Sequence, residues 1–197
     1  MDITYIIQTF GIVGVTFIIF AESGLFFGFF LPGDSILFTA GVLASQGFFN
    51  IAILVLCTWV AAILGDTVGY WFGARIGIKM FNKEKSFFFN KRYPERANKF
   101  YESHGGKAII LARFIPAVRT FVPIMAGVGK MTYGKFLSYN IVGGTIWAVG
   151  LTLGGYFLGQ SVKNIDQYII PIIVLIVLTS VIPIISEVFK ARKIGRN

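Results

Sequence analysis

Runs of apolar residues close to twenty long recur along this chain, and each is long enough to cross hydrocarbon as a helix. Tyr5–Ala21, Phe49–Phe72, Gly134–Gly159 and Tyr168–Phe189, the last within a C-terminal span at 167–189, read as four such runs. Of the 197 residues 55% are hydrophobic and only 14% charged, too little polar surface to cover a soluble core. The solvent for most of this molecule is lipid. The N-terminus lacks the positive region and small-residue cleavage site of a secretory signal, so the first run is expected to be retained.

Two further apolar stretches are interrupted. Residues 22–46 are broken by Pro32-Gly33-Asp34, and Ala108–Val128 carries Pro116 and Pro123. Proline removes a backbone donor and stops a helix, and an unpaired backbone group in lipid is very costly. Such breaks are tolerated where protein or a water-filled cavity surrounds them, and a re-entrant helical hairpin is the economical reading of each. The expected fold is an all-α integral membrane protein of about four transmembrane helices plus two opposed re-entrant helical hairpins.

The charge distribution orients that fold. Residues 1–73 contain no Lys or Arg, nine of the eighteen lie from Arg75 to Lys107, and four more from Lys190 to Arg196. Basic clusters flanking apolar spans mark cytoplasmic loops, so both termini are expected on the cytoplasmic side. Every basic cluster then falls on one side, the first hairpin dips in from outside and the second from the cytoplasm. Clusters placed this way argue against nucleic acid as a partner, despite a formal charge of +9. In the stretch 74–107, Phe87, Phe88 and Phe89 sit among Lys85, Lys91 and Arg92, as suits an interfacial segment on anionic lipid. Pro94 is placed to open a short helix that Gly105-Gly106 would end. Cys57 is the lone cysteine, so no intrachain disulfide forms.

The chain repeats itself at an offset of 86. Ala40-Gly41-Val42 aligns with Ala126-Gly127-Val128, and Gly69-Tyr70-Trp71-Phe72-Gly73 with Gly155-Tyr156-Phe157-Leu158-Gly159. One membrane domain, 1–197, is thus expected to hold repeats at 22–73 and 108–159, joined by the basic segment. The topology gives the copies opposite orientations, and inverted repeats with broken helices place substrate sites near the midplane of many transporters. The same glycines also serve close helix approach.

Ionisable residues inside membrane segments are expensive and are functional candidates by default. Five are singled out: Glu22 and Asp34 in the first broken stretch, Arg113 and Arg119 in the second, and Asp66 in a continuous run. If the hairpin tips meet, a carboxylate pair lies near a guanidinium pair. One reading is ion pairing that only fixes the hairpins. The other has Arg113 and Arg119 capturing an anion, since the guanidinium fork matches phosphate or carboxylate, while Glu22 or Asp34 carries a coupling proton. Two charge pairs exceed what holding a hairpin requires, which favours the second. Asp66 is an accessory candidate that can equally cap its span or pair with the basic loop. His104 reads as an interfacial or capping residue, and Trp59, Trp71 and Trp147 as packing or interface anchors. No nucleophile elbow, metal-spaced His/Cys group or phosphate-cradling glycine loop is present. The sequence therefore points to no enzyme, metal or cofactor.

These residues form an ordered set that resembles the DedA family of bacterial membrane proteins, also called the SNARE-associated or VTT-domain family. The likeness runs from Glu22 through Leu31-Pro32-Gly33-Asp34, Gly65-Asp66, Gly69-Tyr70 and Gly73. It continues with His104-Gly105, Arg113-Phe114-Ile115-Pro116, Arg119, Ala126-Gly127, and Asn140 ahead of Trp147, ending near Gly159. The resemblance implies opposed hairpins in the bacterial cytoplasmic membrane. It also implies Glu22 with Asp34 as an essential acidic pair, and Arg113 with Arg119 as an essential basic pair. Members of the family are linked to translocation of undecaprenyl phosphate, to phospholipid scrambling and to proton-motive-force-dependent resistance. The implied partners are a membrane lipid (undecaprenyl phosphate or another phospholipid) and protons or sodium, with a homo-oligomer left open. A proton- or cation-coupled exporter of small solutes would use the same carboxylates.

Overall fold

The structure is a computed structural model, and it describes residues 3–24, 32–77, 106–162 and 171. All regular elements among the described residues are helical. The interfacial segment around Phe87–Phe89, the short helix expected after Pro94, His104 and the span within 167–189 lie outside the described residues, apart from Pro171.

Helix α1 (Ile3–Gly24) covers the first apolar run but is not one rod. Gly11 takes φ 61° and ψ −159°, a conformation almost confined to glycine, and splits it. The piece from Ile12 to Gly24 is about 20 Å long at 1.5 Å per residue, short of the ~30 Å hydrocarbon layer. Helix α2 (Gly33–Ser45) begins directly after Pro32, where the sequence predicts the break, and its 13 residues give it the same length.

Helix α3 (Ile51–Phe72) follows a short connection. The Asn50 side chain caps it, accepting from the amides of Ala52 at 3.0 Å and Ile53 at 3.2 Å. A π turn over Gly73–Gly77 extends its C-terminal end. The two faces of α3 invert the rule for soluble helices. Ala61, Ala62, Gly65 and Gly69 are buried, whereas Ile53, Leu56, Val60, Leu64, Val68 and Trp71 are exposed at three- and four-residue spacing. Small residues inside with an apolar stripe outside is how a helix packs when its outer face meets lipid.

The second broken stretch forms α4 (Lys107–Ala112), α5 (Pro116–Arg119) and α6 (Phe121–Val128). Pro116 opens α5 as its first residue, the position that least needs an amide. Pro123 falls in the first turn of α6, and the break it causes lies upstream, at Thr120. Helix α7 (Tyr133–Gly144), a π turn at Thr145–Val149 and α8 (Gly150–Ser161) then run on as one long helix. Among the described residues two helices, Ile51–Arg75 and Tyr133–Ser161, are long and apolar enough to span a bilayer.

Glycine governs the closest packing. On α2, a Cβ at Gly41 would overlap the Thr152 carbonyl of α8, and one at Gly155 would overlap the Phe38 carbonyl. On α6, a Cβ at Gly127 would overlap the Tyr70 carbonyl of α3, and one at Gly73 would overlap the Ile124 carbonyl. Gly41 and Gly127 are 86 apart in sequence, as are Phe38 and Ile124. Their partners Gly155 and Gly73 differ by 82, one helical turn from the alignment the sequence suggests. Helix α1 crosses α3 where Gly24 abuts Gly65. These approaches bring the C-terminal end of α1, the start of α2, the middle of α3 and the α7–α8 helix to the α4–α5 junction.

Candidate functional site

At that meeting point the charged residues sort into two groups. Arg119, the last residue of α5, pairs with Glu22 near the end of α1 and with Asp34 at the start of α2. Its Nη1 donates to Asp34 Oδ1 at 2.8 Å. Arg113, between α4 and α5, donates from Nη2 to Asp66 Oδ2 of α3 and to Asn140 Oδ1 of α7, each at 2.5 Å. The five charges are thus brought together, but not as a carboxylate pair facing an arginine pair. One arginine holds both hairpin carboxylates. The other holds Asp66, whose charged partner among the described residues is Arg113.

Glu22, Asp66, Arg113 and Arg119 are buried, and the Asp34 side chain keeps 20% of its exposure. Glu22 is completely enclosed, and a Cβ at Gly33 would overlap its Oε2, so the glycine after Pro32 makes room for the acid. The stem of Arg113 lies along α7, where a Cβ on Gly143 would come 2.9 Å from its Cδ. Withdrawn from water, these charges depend on each other for compensation. Among the described residues three carboxylates face two guanidiniums, one negative charge in excess when all are ionised.

Two polar partners escaped the sequence reading as site residues. Asn140 is fully buried, accepts from Arg113 through its oxygen and donates from Nδ2 to the Ile63 carbonyl at 3.1 Å. Trp147, seven residues on, donates from Nε1 to Asp34 Oδ1 at 2.7 Å. The Cζ of Arg119 lies 4.7 Å from its ring centroid and that of Arg113 5.7 Å, both within cation–π range. Trp147 sits in the π turn of 145–149, which a second tryptophan braces, with Trp59 Nε1 donating to Thr145 Oγ1 at 2.9 Å. A seven-residue spacing puts Asn140 and Trp147 near one helix face, and a buried amide in a membrane span is itself costly. That combination was the available signal.

A recess of about 290 Å³ opens beside the two groups. Asp34, Arg113 and Trp147 supply its polar wall, and Phe114, Ile146 and Leu151 its apolar one. Phe114 and Ile146 are more than half exposed, so the recess meets the apolar outer surface. Among the described residues no cluster of His, Cys, Asp and Glu is arranged to hold a metal ion.

Residues 31–157 match the VTT domain family. The protein DedA of Escherichia coli (strain K12) is 42% identical over 178 residues, covering 89% of this chain and 81% of that one. An uncharacterized membrane protein of Mycobacterium tuberculosis (strain ATCC 25618 / H37Rv) is 44% identical over 185 residues, 91% of this chain and 81% of its own. The inner membrane protein YqjA of Escherichia coli (strain K12) is 34% identical over 167 residues, 81% of this chain and 76% of that one. No solved structure matches the chain at a significant level. With most of its length and both halves of its charged site inside these matches, the chain belongs to the DedA family of VTT-domain membrane proteins.

Proposed function

We propose that this protein is a non-enzymatic transporter that carries a lipid phosphate between membrane leaflets, with undecaprenyl phosphate returning to the cytoplasmic leaflet as the substrate. The observation that carries the reading is the recess, which joins a guanidinium-bearing wall to an exposed apolar rim. A phosphate headgroup suits Arg113 and Arg119, and a prenyl tail can stay in lipid beside Phe114 and Ile146. The second hairpin's arginines are the anion ligands, and Glu22 and Asp34 are the coupling groups. When phosphate takes Arg119, its carboxylates lose their cation, and a proton or sodium ion arriving at Glu22 or Asp34 restores the balance. Asp66 holds Arg113 in place as an accessory.

We read the broken stretch 22–46, with α2, and the stretch 108–128, with α4–α6, as opposed re-entrant hairpins of an inverted repeat in the bacterial cytoplasmic membrane. Support comes from their short pieces and from the reciprocal glycine contacts, in which α2 and α6 each pack on the other repeat's long helix. The excess carboxylate favours one second reading, a cation-coupled antiporter of small solutes built on the same site.

Translocation of labelled undecaprenyl phosphate in proteoliposomes, with and without a pH gradient, tests the proposal. Movement that accelerates with the gradient is expected, falling at least about tenfold in Arg113→Ala and in Arg119→Ala, each losing charge-assisted contacts of roughly 1.5–3 kcal/mol. Equal movement in folded wild type and both variants removes the arginines from the site. No movement above empty liposomes leaves the antiporter reading.

A further inference from the structure

Trp147 contacts both charge clusters. Its ring lies within cation–π range of both guanidiniums, and its indole N–H donates to the same Asp34 oxygen that Arg119 Nη1 holds. The ring is buried yet forms part of the recess wall, where the partly exposed Asp34 and the buried Arg113 also lie. It stands in a π turn, a one-turn irregularity that often marks functional positions, and Trp59 fixes that turn from α3. Ordinary core packing asks for a large ring but not for this donor, nor for two cations on it.

Resting on the lipid-phosphate reading, we propose that Trp147 is a positioning residue for the headgroup. Its ring sets where both guanidiniums stand, and its N–H retains Asp34 when Arg119 exchanges that carboxylate for phosphate. Glu22 and Asp34 face Arg119 from α1 and α2, and Asp66 faces Arg113 from α3, so each arginine must leave or share a carboxylate to engage a substrate. Without the indole donor, Asp34 depends on Arg119 more heavily and competes with the incoming anion. The effect belongs in substrate affinity before it reaches turnover.

Two measurements test this. In proteoliposomes Trp147→Phe, which keeps an aromatic ring and loses the donor, is expected to raise KM for undecaprenyl phosphate about tenfold, one charge-assisted hydrogen bond, with kcat within about threefold. Trp147→Leu, which also loses the ring, is expected to reduce both parameters further. Without relying on a folded Trp147 variant, the wild type carrying 5-fluorotryptophan gives one fluorine resonance for each of Trp59, Trp71 and Trp147, the last assigned by elimination from Trp59→Phe and Trp71→Phe proteins. A short-chain prenyl phosphate is expected to shift the Trp147 resonance saturably, and the matching prenol or inorganic phosphate to leave it in place. Wild type that transports the lipid while its Trp147 resonance stays fixed, or a Trp147→Phe protein with wild-type KM, overturns the positioning role alone. Wild type that neither transports nor responds overturns the lipid-phosphate reading and the inference with it. An equal shift with inorganic phosphate supports Trp147 at a phosphate site and overturns the lipid as the required substrate.

Discussion

Asp66 and Arg113 hold each other at 2.5 Å with almost no exposure, and Asn140 Oδ1 accepts from the same guanidinium nitrogen. A buried pair loses more when one partner is removed than the intact pair contributes, because the remaining charge is stranded. Asp66→Asn is therefore expected to cost about 3–5 kcal/mol, read as a fall in the unfolding temperature of the detergent-purified protein. The neutral pair Asp66→Asn with Arg113→Gln should recover most of that stability and no transport. Transport returning in the double variant would reduce Arg113 to scaffolding. All five charges were legible as candidates because any charge in an apolar run stands out. Their pairing was not, since sequence gives no distance between Arg113 and Asp66, 47 residues apart. Asn140 and Trp147 were missed as site residues for a different reason. An amide carries no formal charge and a tryptophan suits a membrane interface, so each had an ordinary explanation.

At the scale of helices, the elements stand where proline put them and pack where glycine lets them. Pro32 and Pro116 each precede or open a helix, as expected from a residue that lacks an amide and clashes one turn back. Gly11 gave no such warning, because a glycine within an apolar run reads equally well as a packing residue or a break. The repeat was legible in outline through Gly41 and Gly127, while the one-turn displacement of their partners follows from contacts that no offset reveals. Two adjacent glycines of α8 separate packing from propensity. A Cβ at Gly155 would overlap the Phe38 carbonyl of α2, whereas one at Gly154 meets nothing within 4 Å. Gly155→Ala must push two helices apart and is expected to cost about 1–3 kcal/mol. Gly154→Ala should be neutral or stabilising by up to ~1 kcal/mol, since alanine holds a helix better than glycine. Paired thermal unfolding curves check this, and equal effects at both sites would remove α2 from the close contact with α8.

For the whole molecule the decisive issue is orientation, because the proposed site serves two leaflets most simply when the hairpins enter from opposite faces. The connection from α2 to α3 and the one from α6 to α7 close the two hairpin regions, and each carries an exposed residue, Phe48 and Thr132. In an inverted repeat these connections lie on opposite sides of the membrane, the first outside and the second in the cytoplasm. The absence of Lys and Arg before residue 74 and the nine basic residues from Arg75 to Lys107 are the basis for expecting this assignment. Cys57 is the sole cysteine, so Cys57→Ser provides a clean background for placing single thiols. In intact cells a membrane-impermeant maleimide is expected to label Phe48→Cys and to spare Thr132→Cys until the membrane is permeabilised. Labelling of both from outside would place the hairpins on one face and end the inverted-repeat reading. The charged site would then have to reach the second leaflet by a larger movement of the long helices, with no symmetry between its two halves. The opposite-side pattern, by contrast, puts Arg119 of one hairpin against Glu22 and Asp34 of the other within the membrane. Alternate access then requires only that this contact open first toward one leaflet and then toward the other.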